Sequence, residues 1–210
     1  TEYPEEISIT INMNSRIHAI GMVGVEATNV TIELIVDGDV IYTSSHQMTV
    51  RGAGSWYRYF FAPFQTESNL VQLDIPPIIG PYQRRIRAEA AGGVARIGMV
   101  VFGLAQKIGN ASWGSRVGFD NYSYTEEDSF GNVTIVPRGK KNWVELDVVV
   151  DTDQVPVLER TLSSLKDKAA LYIGSRRVTP TIIVGKFDRF SLLLVNSTLS
   201  EYTLELRSLA

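Results

Sequence analysis

The chain has 210 residues, a formal net charge of -3 and no cysteine. That length holds one large β domain or two small ones, each able to bury a core of its own. The mild negative charge removes the simplest case for wholesale binding to nucleic acid or an anionic membrane, and the missing cysteines exclude disulfides, thiolate metal sites and cysteine nucleophiles. No apolar run of about 18 residues is present to span a bilayer as a helix, so membrane insertion is not expected. The opening Thr-Glu-Tyr-Pro-Glu-Glu is acidic and does not read as a signal peptide.

Val, Ile and Thr are frequent, Gly occurs 17 times, and helical periodicity is scarce, which predicts a mainly β protein. In the N-terminal half, Ser8–Ile11 and Val30–Ile35 alternate polar and apolar residues, as half-buried strands do. Asp37-Gly38-Asp39 joins the second run to Val40–Tyr42 and predicts a hairpin turn rather than a calcium loop, because the remaining oxygen ligands are missing nearby. Ser55–Phe64 is rich in aromatics, and Pro76-Pro77 with Gly80-Pro81 predicts a rigid connection. Ile-Gly-Met-Val occurs twice, at 20–23 and 97–100. The echo suggests neighbouring strands that close a sandwich, neither exposed, with glycines where backbones approach. The expected first domain is therefore a jelly-roll β-sandwich of the galactose-binding-like type over residues 1–108.

Gly109–Ser115 is small and polar and reads as a linker into a second domain, 109–210. A long hairpin is expected over 121–138. Its first arm carries Tyr122, Tyr124, Glu126, Glu127 and Asp128; the turn is Ser129-Phe130-Gly131-Asn132; the second arm leads into Arg138, Lys140 and Lys141. Acid near base fits two readings, internal pairing on a solvated surface or an arm that docks on another subunit. Trp143–Val150 predicts a strand with Val144, Leu146 and Val148 on one face. Val155, Leu158, Leu162 and Leu165 then fall on one helical face, predicting a helix over 153–167 with Asp153 as N-cap, Pro156 in the first turn, and Lys166 and Lys168 at its end. Four more strands follow, at 170–173, 181–184, 187–195 and 202–206. One helix over a sheet or small split barrel would bury that stripe.

Several stretches together resemble a family of tailed-bacteriophage tail and baseplate proteins: Gly118–Ser123 with its acidic continuation, Phe130–Val136, Leu171–Ser175, and Ser55-Trp56-Tyr57 leading to Phe60-Phe61-Ala62-Pro63-Phe64. The resemblance implies a virion structural protein in the tail, assembled in the bacterial host cytoplasm, forming a homo-oligomeric ring and contacting other tail or baseplate proteins. Its strand-helix-strand order is also similar to the fold of tail-tube and distal-tail proteins, with the domain order of distal-tail proteins reversed.

Nothing in the sequence presents enzymatic chemistry, and no cofactor is implied. His18 and His46 have no carboxylate at metal-ligand spacing, no nucleophile elbow or Walker loop occurs, and the adjacent pairs Glu5–Glu6 and Glu126–Glu127 would point to opposite faces of a strand. The alternative to assembly is a glycan-binding module that contacts the host cell surface, with Trp56, Tyr57 and Tyr59 as the stacking platform.

Overall fold

The computed structural model describes residues 2–3, 5–50, 65–91, 93–127 and 130–209. The described residues are mainly β, with strand far outweighing helix, so sheets rather than helices must supply the cores. The chain divides into two compact units, Thr1–Gln106 and Lys107–Ala210.

The first unit is a sandwich of two four-stranded antiparallel sheets. One sheet joins β1 (Glu2–Tyr3), β10 (Ala95–Gly103), β3 (Ala19–Glu26) and β8 (Asn69–Gln72) in that order. The other joins β2 (Glu6–Met13), β9 (Tyr82–Glu89), β4 (Asn29–Val36) and β5 (Asp39–Gln47). A separate short pair, β6 (Thr49–Val50) with β7 (Gln65–Thr66), lies between β5 and β8 in the chain. Ile20, Met22 and Val25 of the first sheet pack with Val30, Ile32, Ile86 and Ala88 of the second to form the core. The β4–β5 turn is formed as the sequence predicts, with both Asp37 (φ 51°) and Gly38 (φ 94°) in the left-handed region. That geometry matches the twist of the strands it joins.

The Ile-Gly-Met-Val echo does form neighbouring antiparallel strands, with Ile97 opposite Val25 and Met99 opposite Val23. Its glycine marks a close approach: a Cβ added at Gly98 would stand 2.8 Å from the Val23 carbonyl oxygen. Gly24, at φ 70°, faces Gly98, and across this pair both strands change the phase of their inward residues. Ile20 and Met22 point inward before the change and Val25 after it, while in β10 the inward set passes from Ile97 to Val100 and Phe102. The expectation that neither copy is exposed is therefore corrected. Met22 is fully buried, whereas Met99 faces outward because its strand turns over at Gly98.

Arg84, inward-facing on β9, is fully buried. Its Nη2 donates to the Ile17 carbonyl (2.6 Å), its guanidinium lies 5.5 Å from the Tyr82 ring, and its Nε and Nη1 have no hydrogen-bond partner among the described residues. Burial away from water holds its pKa below the ordinary arginine value, against a smaller opposing influence of Tyr82.

In the second unit, a six-stranded antiparallel sheet carries one helix. β15 (Lys140–Asp151), β18 (Leu199–Ser208), β17 (Ile182–Leu194) and β16 (Ala170–Ile173) run side by side, and both β11 (Asn110–Ala111) and β12 (Arg116–Asn121) pair with the far edge of β15. Val144, Leu146, Val148 and Val150 alternate inward on β15 and meet Tyr202, Leu204 and Leu206 of β18. Helix α1 (Val155–Leu165) covers that face with Leu158 and Leu162.

Three local expectations are corrected. The helix is shorter than 153–167: Asp153 lies in a 3₁₀ turn (Thr152–Gln154) and caps nothing, while Gln154 occupies the N-cap with no side-chain hydrogen bond. Pro156 in the first turn explains the start, since it needs no hydrogen-bond donor there. The strands expected at 181–184 and 187–195 are one strand, β17, bent by an irregularity between Phe187 and Arg189, with Thr181 in the preceding 3₁₀ turn. The segment read as a linker at 109–115 belongs to the sheet, because Asn110 and Ala111 pair with Val149 and Val148.

Candidate functional site: a protruding charged arm

β12 and β15 are joined by the segment that holds the predicted hairpin. They pair from Arg116 with Glu145 to Asn121 with Lys140, and beyond them β13 (Tyr124–Glu127) pairs with β14 (Val133–Val136), so the ribbon continues past the sheet. The registers do not run straight through. Between Asn121–Lys140 and Tyr124–Val136, two residues on one strand face three on the other, which is a bulge. Ser123 fills this joint with its side chain: its Oγ accepts the Arg138 N–H (2.9 Å), and its own N–H donates to Asn121 Oδ1 (3.0 Å). Pro137, which has no N–H to place in a ladder, sits in the same joint. The turn contains Gly131 at φ 82°, the positive φ expected of this loop.

From Tyr122 to Glu127 the described part of this arm extends about 17 Å at the usual rise per residue. All described residues of β13 and β14 are exposed except the half-buried Val136. Opposed residues share a face, so Thr125, Glu127, Val133 and Ile135 form one side and Tyr124, Glu126, Thr134 and Val136 the other. Ile135 is 70% exposed, Val133 63% and Phe130 88%, an apolar load that a solvated two-stranded ribbon does not need for its own folding.

The described charges of the hairpin contact aromatic rings and hydroxyls. Arg138 lies over the Tyr124 ring at 4.5 Å, Tyr124 donates its hydroxyl to Glu126 Oε1 (2.9 Å), and Lys140 lies 5.3 Å from the Phe119 centroid. Among the described residues, no ion pair joins Glu126 or Glu127 to Arg138, Lys140 or Lys141. The cause is register: the acidic residues oppose Val133 and Thr134 far along the arm, while the basic ones stand at its root. Direct ion pairing within the arm is thus absent for Glu126 and Glu127 among the described residues. Tyr122 is exposed beside the joint, with its N–H donating to the Gly139 carbonyl (3.3 Å). Asp128 lies outside the described residues, as do the stacking candidates Trp56, Tyr57 and Tyr59.

The histidines are engaged in structural contacts. His46 Nε2 bonds Ser44 Oγ (2.9 Å) and Gln72 Oε1 (3.0 Å), and His18 Nε2 accepts the Ala105 N–H (3.2 Å). No helix among the described residues is long and apolar enough to cross a membrane.

Sequence reasoning passed over a second feature. Trp113 is fully exposed beside an open cleft of about 460 Å³ on the sheet face opposite α1, with Asp147, Glu201, Ser191 and Thr203 in its lining. The available signal was Ser-Trp-Gly-Ser at 112–115, a tryptophan inside a turn-forming tetrapeptide, which reads differently from a tryptophan in an apolar run. Comparison of the chain with protein-family models and with curated proteins finds no match.

Proposed function

We propose that this protein is a structural component of a phage tail tip or baseplate, located in the virion tail after assembly in the bacterial host cytoplasm, and that it works through protein–protein contacts. The observation that carries the assembly reading is the arm at 121–140, which displays exposed apolar side chains and, among the described residues, joins neither Glu126 nor Glu127 to Arg138, Lys140 or Lys141 by an ion pair. Burying Phe130, Val133 and Ile135 against a neighbour would gain about 1.5–3 kcal/mol for each side chain. The tail assignment draws on the resemblance carried by Gly118–Ser123, Phe130–Val136 and Leu171–Ser175.

A head-to-tail contact closes into a homo-oligomeric ring when its rotation permits. In such a ring Glu126, Glu127 and Asp128 of one copy face Arg138, Lys140 and Lys141 of the next, and Tyr122, Tyr124 and Phe130 supply the apolar contact. Other tail or baseplate proteins meet the remaining surfaces.

The test is charge reversal of the acidic trio to lysine, followed by sedimentation at increasing protein concentration. Oligomers should weaken or vanish while circular dichroism and melting temperature stay unchanged, because Glu126 and Glu127 are exposed and outside both cores. Reversing Arg138, Lys140 and Lys141 to glutamate as well should restore them. Oligomers indifferent to both changes would refute the arm as the contact.

A further inference from the structure

Trp113 stands on a four-residue bulge. Ala111 pairs with Val148 and Arg116 with Glu145, so residues 112–115 lie opposite only Leu146 and Asp147. Three hydrogen bonds clamp this bulge to β15, with Ser112 N and Oγ both donating to the Asp147 carbonyl (2.7 and 3.0 Å) and the Asp147 N–H donating to Ser115 Oγ (3.1 Å), and a further one closes the bulge on itself, from Ser115 Oγ to the Ser112 carbonyl (3.1 Å). The turn is therefore built to hold an indole in solvent. An exposed indole adds nothing to the fold, since its apolar area stays wet.

The sheet beside it offers a graded set of polar groups. Asp147, Thr203 and Ser191 are direct cross-strand neighbours, and in the next row Glu201 lies between Val149 and Leu193. At the usual strand spacing the first row spans about 10 Å, the width of one or two sugar rings. Thr203 Oγ1 donates to Asp147 Oδ1 (2.9 Å) and fixes that carboxylate. Neither Asp147 nor Glu201 forms an ion pair with a described basic residue.

We propose that this cleft is a binding site for a neutral saccharide, with Trp113 as the stacking platform and Asp147, Glu201, Thr203 and Ser191 as hydrogen-bond partners. The chemistry of the lining selects that class. A platform with a negative face attracts the polarised C–H face of a sugar ring. The Glu201 carboxylate and the second oxygen of Asp147 accept hydroxyl protons in charge-assisted bonds, Thr203 Oγ1, whose proton is given to Asp147, accepts, and the Ser191 hydroxyl both donates and accepts. The same two carboxylates repel anionic sugars, so sialylated, uronic or phosphorylated glycans are excluded. A bare ammonium group would leave the hydroxyl row unused, which favours the polyol. The site is separate from the arm and does not depend on the assembly reading.

Saturation-transfer NMR on the full chain at millimolar ligand tests this, with a panel of neutral oligosaccharides set against matched uronic and sialylated ones. Neutral sugars should bind through their C–H faces and anionic ones should not. Trp113→Ala should weaken binding at least tenfold and Glu201→Gln several-fold, both with unchanged melting temperature and unchanged oligomers. Three results would overturn the proposal: no neutral sugar binding, binding that survives Trp113→Ala, or a Trp113→Ala variant that loses assembly while the parent binds no sugar, which would make the indole a subunit contact. The acidic-trio reversal tests the arm independently, so either conclusion can fall without the other.

Discussion

Gly98→Ala is the sharpest test of how the first unit closes. The added methyl would stand 2.8 Å from the Val23 carbonyl oxygen and 3.3 Å from the Gly24 Cα, so it meets backbone of a paired strand and not a side chain that can swing away. Relief requires β3 and β10 to separate at the point where both change the phase of their inward residues, which disturbs the packing of Ile20, Met22 and Val25 on one side and Ile97 on the other. Overpacking of this kind costs about 1–3 kcal/mol. For a unit of Thr1–Gln106 that is a fall in melting temperature of roughly 5–20 °C. Gly103→Ala on the same strand is the control, because nothing lies within 4 Å of its added carbon, and reduced freedom of the unfolded chain should leave it neutral or slightly stabilised. Differential scanning calorimetry resolves the two variants. Equal melting temperatures for Gly98→Ala and Gly103→Ala would refute the close-approach account.

Other outcomes follow from the two cores. Burial pushes the pKa of Tyr202 well above its ordinary value, and its hydroxyl donates to the Ile108 carbonyl (2.8 Å). A raised folded-state pKa means stability that is whole below the unfolded value, about 10, and is lost as pH rises toward the folded one. The second unit should therefore weaken at alkaline pH above about 10, and absorbance titration should show the buried Tyr202 phenol ionising only above the ordinary tyrosine value; ionisation at that ordinary value would contradict this. Arg84→Met should change stability by less than about 1 kcal/mol or raise it, since it surrenders one bond to the Ile17 carbonyl and removes a buried charge that forms no ion pair among the described residues. A loss of about 3–5 kcal/mol in chemical denaturation would mean that the charge is compensated after all.

Much of the architecture was legible because burial leaves a period in the sequence. Val144, Leu146 and Val148 announced their strand, Leu158 and Leu162 announced the covered face of the helix, and Asp37-Gly38 announced its turn by demanding positive φ. Where the period fails, the reading failed with it. The phase change at Gly24 and Gly98 is a property of two strands together, so identical Ile-Gly-Met-Val segments carry one methionine inward and the other outward. The bend in β17 looked like a strand break because an irregularity interrupts alternation much as a loop does. Pairing of Asn110 and Ala111 with β15 is long-range and leaves no local trace, so a strand passed for a linker. At the arm, composition revealed both charges but not their separation, which register alone decides. Trp113 escaped notice because its meaning lies in Asp147, 34 positions away in the chain yet clamped to the turn that displays it.

The central claim is that the arm exists to meet another subunit, and the direct measurement is electron microscopy of the protein at high concentration beside a variant in which residues 123–137 are replaced by a short Asn-Gly turn between β12 and β15. The full chain should form rings or ring fragments, and the armless variant should remain a folded monomer with the same melting temperature. A full chain that stays monomeric at every concentration, or an armless variant that assembles as well as its parent, would contradict the account.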